Sequence, residues 1–101
     1  MATQKATNDF SPNWTTHPGE HLAEYLVVRD LSQAEFARRA GLTAKHVSEI
    51  VNLKAPVTAE TALKLESVLG LKAEIWMRLQ SSFDVFEARK RAGVKTAALA
   101  G

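Results

Sequence analysis

The chain has 101 residues, of which 46% are hydrophobic and 24% are charged, which is ordinary for one small globular domain. It contains no cysteine, so disulfides and cysteine metal sites are excluded, and its net charge of +2 permits nucleic-acid binding without arguing for it. No apolar run is long enough to span a membrane, and the start lacks the apolar segment of a signal peptide. We therefore expect a cytoplasmic protein with no membrane partner.

Residues 1–16 are predicted to form a flexible N-terminal arm. They are mostly polar and contain Pro12 and two isolated aromatic residues, Phe10 and Trp14. These aromatic side chains could pack onto the domain or dock on a partner, and packing is the more common outcome for a lone tryptophan.

The first helix is predicted to start at Pro18, because proline suits a first helical turn, and to turn Leu22 and Leu26 inward. His17 and His21 have the i, i+4 spacing of metal ligands. However, the sequence offers no third ligand nearby and no H-E-x-x-H pattern. We therefore expect no metal and no cofactor, and two solvated histidines at a helix start.

Residues 32–52 are predicted to fold as two short helices joined by a tight turn. Ser32 and Glu35 have the spacing of a capping box. Gly41 can take the left-handed conformation that ends a helix, and Thr43 can cap the second one. Apolar residues at intervals of three and four give each helix one inner face. The pattern predicts a helix-turn-helix, although helical bundles that do not bind DNA can contain the same pattern.

Two further helices are predicted after a short loop that contains Pro56. Thr58 can cap the fourth helix, and Gly70 can end it. The last helix is expected to run from about Ala73 to about Arg91, and the small residues of the tail, 92–101, are expected to fray.

The last helix is long for a chain of this size and carries an aromatic stripe. Its members recur at intervals of three and four and are Trp76, Leu79, Phe83 and Phe86. This stripe exceeds what four short helices would cover, so we predict that it forms the interface of a homodimer. The alternative is that the stripe closes the core of a monomer.

Two sets of residues resemble a known family. The first set, Gln33, Glu35-Phe36-Ala37, Gly41, Val47-Ser48, Ile50 and Asn52, resembles the XRE-type domain shared with lambdoid phage repressors. The second set resembles the HigA/VapI antitoxin branch of that family and consists of H-P-G-E at 17–20, T-A-E-T-A-L-K-L at 58–65 and W-M-R-L-Q at 76–80. The resemblance covers roughly residues 17–90. It implies an all-α, five-helix, lambda-repressor-like DNA-binding domain over residues 17–91.

The function implied by this resemblance is that of a sequence-specific repressor that binds an operator inverted repeat as a dimer. It also implies the antitoxin of a HigBA-type system, which neutralises a small basic RNase toxin of the RelE-like class. The alternative is a stand-alone XRE-family regulator without a toxin. Relatives of this motif also precede zinc-peptidase domains, but the chain lacks H-E-x-x-H and any persuasive catalytic arrangement, so we expect no enzyme.

The second helix of the motif is expected to present its N-terminal part to base edges in the major groove. The residues predicted there are Thr43, Ala44, Lys45, His46, Ser48 and Glu49. Lys45 can donate to guanine, and Ala44 can pack against a thymine methyl group. Glu49 could accept from cytosine N4, or it could pair with Lys45 at i, i+4 and neutralise it. The sequence leaves both interpretations of Glu49 open.

Contacts to the DNA backbone follow from the likeness to the phage repressors. Gln33 is expected to hold a phosphate together with the helix N-terminus. Asn52 and Lys54 are expected to hold the backbone at the other end, or else only to end the helix and be solvated. The family commonly has glycine after this asparagine, whereas this chain has Leu53. Asn52 can itself take the left-handed conformation, so the fold is expected to form, and the sequence leaves the geometry of the exit from α3 open.

Overall fold

Five helices follow one another in the computed structural model, which describes residues 15–93. They are α1 (Pro18–Val28), α2 (Gln33–Ala40), α3 (Ala44–Val51), α4 (Ala59–Leu69) and α5 (Ala73–Arg91). The described residues contain no strand, so the predicted all-α, five-helix fold is confirmed. The predicted arm, with Phe10 and Trp14, lies outside the described residues except for its last two positions. The predicted tail lies outside them from residue 94 onward.

The helix starts predicted from the sequence are confirmed by hydrogen bonds. The Oγ of Ser32 accepts from the Glu35 backbone N–H at 3.0 Å, and the Oγ1 of Thr43 accepts from the His46 N–H at 3.0 Å. Thr58 caps α4 in the same way. The capping box itself is only half formed, because the Glu35 carboxylate binds two arginines further along α2 instead of returning to Ser32.

At the exit from α3, the left-handed conformation is taken by Leu53 and not by Asn52. Asn52 has φ −90° and ψ 14°, and Leu53 has the left-handed φ of 63°. The Lys54 N–H donates to the Glu49 carbonyl and the Leu53 N–H to the Ile50 carbonyl, which is the Schellman pattern. That pattern requires left-handed backbone at the residue after the cap, so Leu53 itself takes the place that glycine commonly fills.

The core is formed where the inner faces of all five helices meet. Its largest fully buried side chains on the helices are Leu22, Phe36, Val47, Ile50, Leu65 and Trp76. Trp76 is 0% exposed, and its ring centroid lies 5.9 Å from that of Tyr25 on α1. The prediction that Trp76 belongs to a dimer interface is therefore wrong, because Trp76 lies in the closed core of a single chain. Leu79, Phe83 and Phe86 are only half-buried, so their dimer role stays a prediction.

The start of α1 lies against the end of α3. A Cβ on Gly19 would lie 1.9 Å from the carbonyl oxygen of Ile50, so only glycine fits here without a shift of the helices. His17 caps α1, because its Nδ1 accepts from the Gly19 N–H at 2.9 Å. Its ring meets Phe83 of α5 edge-to-face at 4.7 Å. His17 is 3% exposed, so the expectation of a solvated histidine is wrong for this residue.

Within residues 15–93, no helix is long and apolar enough to cross a membrane. No group of three side chains in this part of the chain could hold a metal ion.

Candidate DNA-binding surface

The outer face of α3 and its cap carry all six residues predicted to meet base edges. Val47 and Ile50 are fully buried and hold the opposite face of α3 in the core. Of the six residues, three are exposed, namely Thr43, Ala44 and Lys45. The other three, His46, Ser48 and Glu49, are half-buried. The packing of α3 therefore leaves all six of these residues exposed or half-buried.

Lys45 and Glu49 form a loose ion pair on this surface. The Lys45 Nζ lies 4.0 Å from the Glu49 Oε2, and the Lys45 side chain is 84% exposed. An exposed pair at this spacing stabilises a helix by about 0.3–0.5 kcal/mol. That is small against a good base contact, so the pair does not prevent either side chain from reaching a base.

Gln33 is the first residue of α2 and is exposed. The first turn of α2 has backbone N–H donors without helical partners, which suit a phosphate. No other described side chain hydrogen-bonds to the Gln33 amide. The phosphate contact of Gln33 stays a prediction.

The arginines of α2 are held by a carboxylate. Glu35 accepts hydrogen bonds from Arg38 and from the Nε of Arg39, the latter at 3.0 Å. Both hydrogen bonds lower the pKa of Glu35, and the bond from Arg38 has the larger effect. Glu35 therefore stays ionised and offsets part of the positive charge of α2.

Lys64 adds a cation that sequence reasoning missed. It lies on α4, and its Nζ is 3.4 Å from the carbonyl oxygen of Gly41 in the turn between α2 and α3. The two residues are 23 positions apart in the chain, so no local pattern could have placed this ammonium group beside the turn.

The C-terminal end of α3 is held by Asn52, whose Nδ2 donates to the Ser48 carbonyl oxygen at 2.8 Å and to the Ser48 Oγ at 3.2 Å. This is the helix-ending role that the sequence left open for Asn52. Lys54, two residues on, is exposed in the loop.

The loop after α3 is fixed to α5 by Gln80, which sequence reasoning also missed. The Gln80 side chain is buried, and its Oε1 accepts from the Val57 N–H at 2.7 Å. Its Nε2 donates to Asp84 at 2.8 Å. Together with His17 and Phe83, these α5 residues line a shallow groove beside the loop. The last helix therefore sets the position at which the chain leaves α3.

Comparison with known proteins relates this surface to a family and to solved complexes. The helix-turn-helix family HTH_3 matches residues 22–76. The chain is 34% identical over 77 residues to the uncharacterised HTH-type transcriptional regulator YddM of Escherichia coli K12, covering 76% of this chain and 82% of that protein. It is 31% identical over 74 residues to antitoxin HigA-1 of Vibrio cholerae, covering 72% of this chain and 70% of that protein.

Among solved structures, the fold is similar to that of the Pseudomonas aeruginosa antitoxin HigA with the higBA promoter. The TM-score is 0.76 at 33% sequence identity, over 79% of this chain and 88% of that chain. The resemblance to XRE-type and HigA proteins that the motifs predicted is thereby confirmed.

Proposed function

The chain belongs to the helix-turn-helix family HTH_3, of the XRE type, and from this premise we propose that it is an operator-binding repressor and the antitoxin of a HigBA-type system. The observation that carries the proposal is the polar outer face of α3, together with its likeness to an antitoxin solved with promoter DNA. The family acts by binding DNA rather than by catalysis.

On the DNA, α3 enters the major groove with its N-terminal half toward the base edges. The proposed base-contacting residues are Thr43, Ala44, Lys45, His46, Ser48 and Glu49. Gln33 and Lys54 contact phosphates on either side, and Lys64 joins them beside the turn. Contacts of this second kind position the domain without reading sequence.

We further propose that two copies bind the operator together through α5. Leu79, Phe83 and Phe86 are half-buried in one copy, and Val85 beside them is 44% exposed. A two-fold interface would bury these apolar side chains and relate two copies of α3 by the symmetry of an inverted repeat.

The proposed toxin partner is a small basic RNase of the RelE-like class. Its support is the likeness to proteins named as HigA antitoxins. The alternative, a stand-alone regulator, is supported by the likeness to YddM, which is described as a transcriptional regulator.

Footprinting of the protein on its own promoter tests the DNA-binding half of the proposal. We expect protection of an inverted repeat, and a log–log salt dependence with a slope near −0.9 for each phosphate that the protein neutralises. A promoter that stays unprotected at low salt would contradict the repressor function.

Affinity purification from native cells tests the antitoxin half. We expect a small basic protein to co-purify and its RNA cleavage to stop when the purified chain is added. DNA binding without such a partner would favour the stand-alone regulator.

A further inference from the structure

The side-chain amide of Asn52 has an orientation that its neighbours determine. Its Nδ2 lies 2.8 Å from the carbonyl oxygen of Ser48 and 3.2 Å from the Ser48 Oγ. A carbonyl oxygen can only accept, so the amide atom beside it must be the NH2 group and not the amide oxygen. The NH2 group of Asn52 therefore faces the two oxygens of Ser48.

This arrangement leaves Asn52 poorly suited to a phosphate contact. Its NH2 group is engaged by the two oxygens of Ser48, and the amide atom that remains is an oxygen, which a phosphate would repel. A phosphate contact would require the amide to give up one of the hydrogen bonds that hold the end of α3.

The hydroxyl of Ser48 is affected in turn. It has one proton and two lone pairs, and the bond from Asn52 occupies one of those lone pairs. Its Oγ makes no other hydrogen bond among residues 15–93, so its proton is available to a partner outside the chain. A hydroxyl that already accepts a hydrogen bond is also the stronger donor, because chains of hydrogen bonds polarise one another.

We propose that Asn52 is a positioning residue for base recognition, which fixes Ser48 Oγ on the outer face of α3 and orients its hydroxyl as a donor. The inference rests on the proposed function, in which this face of α3 meets base edges. In the major groove guanine, adenine and thymine offer acceptors at N7, O6 or O4, whereas cytosine offers only its N4 donor. With its proton directed at a base, Ser48 is expected to favour an acceptor over the cytosine N4 donor at one position in each half-site.

The test measures base preference, using the full chain and a duplex library with a randomised core. Ser48→Ala identifies the position that Ser48 reads, as the one where discrimination against cytosine is lost. We expect Asn52→Ala to reduce discrimination at that same position by roughly three- to tenfold, the range of one neutral hydrogen bond. The double variant should lose no more discrimination than Ser48→Ala alone, because the two residues act through one contact.

Lys54→Ala serves as the matched control, since this exposed residue is proposed to contact only the backbone and its loss should weaken all sequences equally. The inference is overturned if Asn52→Ala also weakens all sequences equally, which would indicate a phosphate contact or only the loss of a helix cap. It is overturned as well if Ser48→Ala leaves base preference unchanged. In both outcomes the wild-type chain still enriches an operator, so the proposed function stands. A wild-type chain that enriches no sequence would remove the proposed function together with this inference.

Discussion

Lys45 is held on α3 by no more than a loose ion pair with Glu49, so its ammonium group can move to a guanine when DNA binds. We expect Lys45→Ala to weaken operator binding by roughly 1–3 kcal/mol and to relax the preference at one base pair per half-site. Fluorescence anisotropy with operator variants measures both effects. An equal loss on every sequence would instead make Lys45 a phosphate contact.

Glu49→Gln, assayed on the same operator variants as Lys45→Ala, separates the two interpretations of the Glu49 carboxylate. Base readout predicts an altered sequence preference, whereas an ion pair with Lys45 predicts a gain in affinity on every sequence.

Leu53 adopts a left-handed backbone conformation that branched or bulky side chains rarely take, with φ of 63°. Glycine has no Cβ and takes this conformation without that penalty. We expect Leu53→Gly to be more stable than Leu53→Ala by about 1 kcal/mol in urea unfolding. Alanine is the matched control, because it removes the same side chain but keeps the Cβ. Equal stability of the two variants would mean that the exit from α3 carries no strain.

His17 gives the fold a dependence on pH. Burial lowers the pKa of His17 below its usual 6.5, and the charges of Glu20 and Asp84 only partly oppose this. The unfolded chain therefore takes up the proton first, so the stability from neutral His17 is complete above pH 6.5 and is lost as the pH falls through the lower folded pKa.

Urea unfolding at pH values from about 8 to 5 measures this loss. His17→Asn is the control, because asparagine can also cap α1 but does not titrate. The free energy of unfolding of the wild type should fall more than that of the variant toward acid pH. Parallel curves would show that another group is responsible.

Between elements, the closest approach of α1 and α3 is set by Gly19. An added methyl group would meet the Ile50 backbone carbonyl, which cannot rotate away as a flexible side chain could. We expect Gly19→Ala to lower the free energy of unfolding by about 1–3 kcal/mol, as overpacked sites do. The DNA affinity of the folded protein should fall too, because α3 must shift.

Glu24→Ala, at an exposed position of the same helix, is the matched control and should stay within about 0.5 kcal/mol of the wild type. If Gly19→Ala were as stable as the wild type, α1 and α3 could move apart at no cost in free energy.

For the whole molecule, the proposed dimer places two copies of α3 on one face of the DNA. If they lie one turn apart, the half-site centres are about 34–36 Å, or 10–10.5 bp, from each other. Inserting about five base pairs between the half-sites moves one of them to the opposite face of the duplex. We expect the affinity in a gel-shift assay to drop to that of a single half-site. Unchanged affinity would rule out a rigid two-fold dimer.

Phe86→Asp, at a half-buried position of α5, should turn the dimer into a monomer and abolish the dependence on spacing. Light scattering on this variant separates a failure of the dimer from a failure of DNA binding.

The sequence by itself determined the elements of this fold and the face of α3 that is proposed to contact DNA. The caps at Ser32, Thr43 and Thr58 and the turn at Gly41 were predicted correctly. Each of them depends on atoms within about four residues, and a pattern in the chain records such contacts directly. The family resemblance was readable because each of its motifs lies within one short stretch of the chain.

Only the tertiary structure decided which residues of those patterns are buried and which remain accessible. The spacing of the aromatic stripe is the same for a monomer core and for a dimer interface, and only the packing of α5 against the other helices placed Trp76 inside. Gln80 meets Val57, and Lys64 meets Gly41, across 23 positions of the chain. Such contacts arise from the faces that helices turn toward one another, and helical periodicity describes one helix at a time.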